Sequence, residues 1–148
     1  MLSKSLVIFT AVGLVSALAL GIYLIDVKST SQLIFVEGNS VSIVTEKFDF
    51  KQGEEITLRV VNSGTAPLVF SDASYGLKIT GLSGTLMYSP ISAQVISELA
   101  PGDEIVFSWD QIKNDGNPVL EGLYKISVNG ADKEGNAVER STTVTIWK

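Results

Sequence analysis

Asp110, Asp115 and Glu121 are the side chains of this 148-residue sequence whose type and spacing come nearest to a chemical site. Carboxylates in one short loop are the ligands a hard cation needs. Counted as a calcium loop from Asp110, however, the stretch puts Ile112 at its third position, where an oxygen is required. Gly116 then falls one place late for the sharp turn. No metal and no other cofactor is expected. With no cysteine and no histidine, the chain lacks the thiolate, the commonest general base and the commonest transition-metal ligand. Serine or carboxylate hydrolysis would need an activating partner that nothing in the sequence marks. The expectation is a protein that is not an enzyme and has no catalytic residues.

What remains is contact chemistry. Tyr75-Gly76 and the segment 81–90 (GLSGTLMYSP) mix glycine, serine, Met87 and Tyr88 in the manner of an adaptable contact loop. An edge strand with glycine turns is the plainer reading of the same residues. Trp147 falls on the polar side of its strand, opposite Val144 and Ile146, where it can meet a partner or a membrane interface. Packing at the end of a domain would account for it equally. Tyr75, Met87, Tyr88 and Trp147 are therefore the candidate partner contacts.

The elements that must carry these residues divide at about position 32. Residues 6–25 hold no charged side chain, and twenty residues at about 1.5 Å each span about 30 Å, the thickness of a bilayer core. Lys4 precedes the run and Asp26 follows it. That order keeps residues 1–5 cytoplasmic, makes 6–25 a transmembrane helix in the bilayer and 26–32 a tether, and sends 33–148 outside. The rival reading is a cleaved signal peptide with Ala17-Leu18-Ala19 as its processing site. The run also has some likeness to the N-terminal helix of type IV pilins and archaeal filament subunits. Lys4-Ser5 is a poor match to the processing site of that family, and Thr10 stands where bacterial members often carry glutamate.

Without Lys4, ten basic residues remain against sixteen acidic ones, a net charge of −6. Such a face binds neither nucleic acid nor anionic lipid, both of which need basic clusters. Period-two alternation between Gly, Asn and Asp turns predicts strands over 33–36, 40–46, 55–62, 68–71, 77–82, 85–88, 94–98, 104–109, 122–129 and 137–147. Short strands at this spacing give an all-β protein, a two-sheet β-sandwich of 33–148. One helix before an outward sandwich is also the plan of cupredoxin-bearing oxidase subunits, but a copper site of that type needs His and Cys. An internal echo, Gln52-Gly53-Glu54-Glu55-Ile56 against Pro101-Gly102-Asp103-Glu104-Ile105, predicts the same turn-into-strand role in both halves.

Residues 99–127 read LAPGDEIVFSWDQIKNDGNPVLEGLYKIS. Leu99, Pro101, Gly102, Asp103, Phe107, Trp109, Asp110, Gln111, Gly116, Pro118, Val119, Gly122 and Tyr124 carry a pattern that resembles the immunoglobulin-like domain of the BsuPI proteinase-inhibitor family. Val61-Asn62-Ser63-Gly64 fits the strand-then-Asn turn of the same domain. The resemblance implies an immunoglobulin-like β-sandwich behind the anchor and raises proteinase inhibition through 81–90. Each residue also has a structural use: Pro101-Gly102 makes a turn, and Trp109 plugs one end of the sandwich with its indole N–H on a carbonyl. The functional expectation is a single-pass, extracytoplasmic protein-binding module of a prokaryotic cell membrane, a non-catalytic accessory subunit whose partners are other membrane or envelope proteins. A BsuPI-like inhibitor and an archaellum or pilus accessory protein are the alternatives.

Overall fold

The computed structural model describes Thr10, residues 12–22 and residues 33–148. The chain divides into two units, Met1–Ser31 and Gln32–Lys148. In the first, residues 12–22 are helical, with every side chain exposed. Among the described residues no helix is long and apolar enough to cross a membrane. The expected cytoplasmic segment 1–5, the ends of the expected span 6–25 and the tether 26–32 lie outside the described residues.

The second unit is mostly β-sheet, folded into sandwich-like layers. Its strands are β1 (Val41–Thr45), β2 (Asp49–Lys51), β3 (Ile56–Asn62), β4 (Leu68–Phe70), β5 (Lys78–Gly81), β6 (Leu86–Tyr88), β7 (Ser97–Leu99), β8 (Glu104–Trp109), β9 (Gly122–Ala131) and β10 (Ala137–Trp147). One sheet has three strands in the order β1-β3-β8, and the other runs β2-β10-β9-β4-β7, with β5 also on β9 and β6 on β5. The chain changes sheets between β1 and β2, so that β2 lies parallel to β10 while the other pairings are antiparallel.

Alternation in the sequence becomes burial. In β3, Ile56, Leu58 and Val60 are fully buried while Thr57 and Arg59 between them are half-buried. In β9, Tyr124, Ile126 and Val128 face the same core, as do Val144 and Ile146 of β10. The turn Asp132–Gly135 joins these two long strands through Asp132 N donating to Asn136 O at 3.0 Å and Gly135 N to Asp132 O at 3.1 Å. The two echoed segments launch strands that are direct neighbours: β3 pairs with β8 from Ile56↔Trp109 to Val61↔Glu104. Gly53 and Gly102 both take positive φ, 84° and 81°.

Two sequence readings fail. The strand expected over 33–36 is absent, and among the described residues one backbone bond, Val36 N to Ser63 O at 2.9 Å, ties it down. Ile34, Phe35 and Val36 form an unbroken apolar run with no polar residue between them, and all three stay exposed, so no sheet face claims them. Conversely, β2 went unpredicted. It has three residues and a single buried side chain, Phe50, too few to show a period.

Candidate functional site

A groove of about 840 Å³ opens on one side of the seven-stranded sheet, between the turn before β5, the segment after β6 and the loop after β8. Asp72, Ser74, Gly76, Lys78, Tyr88, Ile91, Lys113 and Asn114 are among its walls. Each wall is set by local bonding. Asp72 Oδ1 accepts from the Ser74 N–H at 2.8 Å, from the Ser74 hydroxyl, and more distantly from Gly76 N–H at 3.5 Å. The Ser74 hydroxyl above all, opposed by partial burial, holds the Asp72 carboxyl below its ordinary value. Tyr75 and Gly76 both adopt positive φ, 55° and 64°. Gly76 runs so close to β9 that an added Cβ would lie 2.3 Å from Asn129 O, an approach that only glycine allows.

Asn114 forms the opposite wall. Its N–H donates to Met87 O at 2.9 Å, and its Oδ1 accepts from Ser89 N–H at 3.1 Å. These bonds tie the loop after β8 to the outer edge of β6. The loop itself is fixed from behind by Gln111, which is fully buried at φ 62°. Gln111 Oε1 accepts from Gly53 N–H at 2.9 Å, and its Nε2 donates to Lys51 O and Glu54 O, both at 2.8 Å. Trp109 Nε1 donates to Ile112 O at 2.9 Å, the carbonyl capture expected of it.

Of the four candidate contacts, three lie beside this groove and one elsewhere. Tyr88 lines the groove and stacks on Trp109, with centroids 6.2 Å apart. Tyr75 turns toward the core, 4.9 Å from the Phe70 ring and 6.2 Å from Phe107. Met87 is half-buried, its Cε 3.1 Å from where a Cβ on Gly81 would stand. Trp147 is 50% exposed at the end of β10, with Lys51 Nζ 5.9 Å from its ring centre.

The carboxylates at 110, 115 and 121 are not brought together, and among the described residues no group of three or more acidic side chains is placed to hold a metal. Asp110 Oδ1 caps Ile112 N–H at 3.0 Å. Asp115 accepts from Asn117 N–H at 2.9 Å and pairs with Lys113 at 3.2 Å, and these bonds, the first above all, lower its pKa.

Sequence reasoning missed the apolar rim. Leu82, Leu86, Ile91, Val95 and Ile96 are all exposed, Ile91 and Ile96 by 105% and 80%. Val95 and Ile96 sit in a segment expected to be strand, for which alternation predicts burial of one face; β7 instead starts at Ser97. For Ile91 the signal was its place between Pro90 and Ser92, a setting that does not build a strand.

No protein-family model matches the chain, and neither does any curated protein. Similar solved structures include the sulfur carrier protein SoxY from Chlorobium limicola f thiosulfatophilum, at 13% identity and TM-score 0.46, over 84% of this chain and 96% of that one. Spo0M, a sporulation control protein from Bacillus subtilis, gives 17% and 0.43, over 75% and 50% of the two chains. PorZ, a surface component of the type-IX secretion system of Porphyromonas gingivalis, gives 15% and 0.38, over 72% and 11%. These scores assign the chain to none of the three.

Proposed function

We propose that the chain is a membrane-anchored, extracytoplasmic binding module, a non-catalytic accessory subunit that grips another membrane or envelope protein. One observation carries the contact: Ile91, fully exposed, lines the groove walled by Tyr88, Lys78 and Lys113, in a stretch of chain that also exposes Leu82, Leu86, Val95 and Ile96. Scattered surface apolar residues need no explanation, but a wholly exposed apolar side chain at a groove with polar and charged walls suits a protein contact. The uncharged run 6–25 supplies the anchor in this reading. The parallel β2–β10 pairing and the sheet change before β2 support an immunoglobulin-like class for the sandwich, and so does the motif over 99–127.

The test is recovery from gently solubilised membranes. The native chain should bring down one stoichiometric partner, and Ile91→Glu with Ile96→Glu should release it without altering the circular dichroism. Monomer alone from both chains would refute the reading. An archaellum or pilus partner among the recovered proteins would specify the assembly.

A second reading, BsuPI-like proteinase inhibition, draws on the protruding Ile91, since an inhibitor must present an exposed side chain to a protease cleft. Failure of residues 33–148 to slow any envelope serine protease would dismiss it.

A further inference from the structure

The three-stranded sheet ends at β8, whose far side no described residue pairs with. Asn62 N donates to Asp103 O at 2.9 Å, and antiparallel bonding alternates every second residue. Carried along the β3–β8 register, this alternation directs the N–H and C=O groups of Glu104, Val106 and Ser108 away from β3. Nothing among the described residues bonds to them. The other edges are guarded. Asn114 occupies the outer edge of β6, β1 is buried along its whole length, and β2 and β7 have three residues each. Proteins ordinarily blunt a long open edge with proline, lysine or a bulge. In β8 none of these is present, and the strand's one charge, Glu104, stands at its first residue.

We propose that β8 is a self-pairing edge: two copies of this chain join β8 to β8, antiparallel, about a twofold axis at Val106. Such a twofold contact must be self-complementary, and this strand is. Val106, 53% exposed, meets its own counterpart in a hydrogen-bonded pair. Glu104 stands opposite Ser108, so no like charges face each other directly. On the inner face Ile105 meets Phe107 and Phe107 meets Ile105. Both are only half-buried in one copy, at the open side of the core, and the second copy would cover them. The product is one six-stranded sheet, β1-β3-β8 continued by β8-β3-β1. This contact lies apart from the apolar rim and does not depend on the binding proposed there.

The chain's lack of cysteine makes the test direct. In the full chain, held in mild detergent, Val106→Cys should oxidise to a disulfide-linked dimer, because facing residues of such a pair lie about 5.5 Å apart, within disulfide reach. Lys125→Cys, exposed on β9, measures random collision, and the Val106 variant should react on the order of ten-fold faster or more. Glu104→Cys alone, facing a serine, should form no disulfide-linked dimer, whereas Glu104→Cys with Ser108→Cys should. Val106→Lys, an edge guard on a half-exposed position, should halve the light-scattering mass of the protein while leaving its circular dichroism unchanged. The proposal is overturned if Val106→Cys links no faster than Lys125→Cys, or if Val106→Lys keeps the mass of the native chain. Should Val106→Lys misfold, the paired-cysteine register decides alone: dimers from Glu104→Cys at the rate of the double variant would exclude this axis.

Discussion

Removing the side chain of Gln111 should loosen the sandwich more than its loop position suggests. This residue makes three hydrogen bonds, to Gly53 N–H, Lys51 O and Glu54 O, and is fully buried. At about 1 kcal/mol net for each bond, Gln111→Ala should cost about 3 kcal/mol. With a urea m-value of about 2 kcal/mol/M, the unfolding midpoint of residues 33–148 falls by roughly 1.5 M. The backbone supplies a second, opposite test. At φ 62° a side chain pays for a left-handed conformation that glycine adopts freely, so Gln111→Gly should recover about 0.5–1 kcal/mol relative to alanine. Gln111→Glu should be worse than both, because it sets an anionic oxygen against two carbonyls that now receive N–H bonds. Trp109, buried one strand-end away, reports the transition by fluorescence. A loss below about 0.5 kcal/mol for Gln111→Ala, less than a single such bond is worth, would refute the reasoning, and so would a glycine variant weaker than the alanine one.

Gly64→Ala should be among the most damaging single methyl additions, since the new Cβ would stand 2.2 Å from Gly38 O and 2.7 Å from Ser40 N; thermal unfolding shows it, and a near-native Tm would contradict that backbone approach. Acid should weaken the fold. Asp72, Asp115 and Asp132 sit below their ordinary value of 3.8 and Glu54 below 4.5, held chiefly by the Ser74 hydroxyl, the Asn117 N–H, the Asn136 amide and Lys47 respectively. Lowered carboxyl pKa values stabilise the fold above the ordinary values, and that stability is lost as pH falls through the lower folded ones. The urea midpoint should therefore be flat above about pH 5 and fall below about pH 4, and a midpoint that rose on acidification would reverse the sign. For the anchor, Leu14→Arg should cost roughly 2.5–3.5 kcal/mol of insertion free energy. Carbonate-washed membranes should then lose much of the chain, and undiminished retention would argue against a span over 6–25.

The sandwich was legible because burial alternates along its long strands. Ile56, Leu58 and Val60, and Tyr124, Ile126 and Val128, announce one inner face each, and β8 and β10 end where the sequence says. What escaped lacked periodicity. Three-residue β2 enters its sheet through Phe50 alone, and residues 33–36 are apolar without alternation and join none. The candidate site was legible only in part. Tyr88 was visible as an aromatic in a glycine-rich segment, but Asn114 meets Ser89 across 25 residues, a pairing that local spacing does not encode. Gln111 carried a motif position without any sign that its amide would bind another loop. Ile91 carried a signal in its place between Pro90 and Ser92, but Ile96 reads in sequence like any strand residue, and only the placement of β7 at Ser97–Leu99 leaves it outside.

The central claim is that residues 82–96 hold a partner at the membrane. A photo-crosslinking side chain placed at Ile91 of the full chain, activated in intact membranes, tests it most directly. The account predicts one discrete product heavier than the chain and its dimer, absent when the probe is moved to the exposed Glu46 between β1 and β2. Equal labelling at both positions, or no product at Ile91, would contradict it.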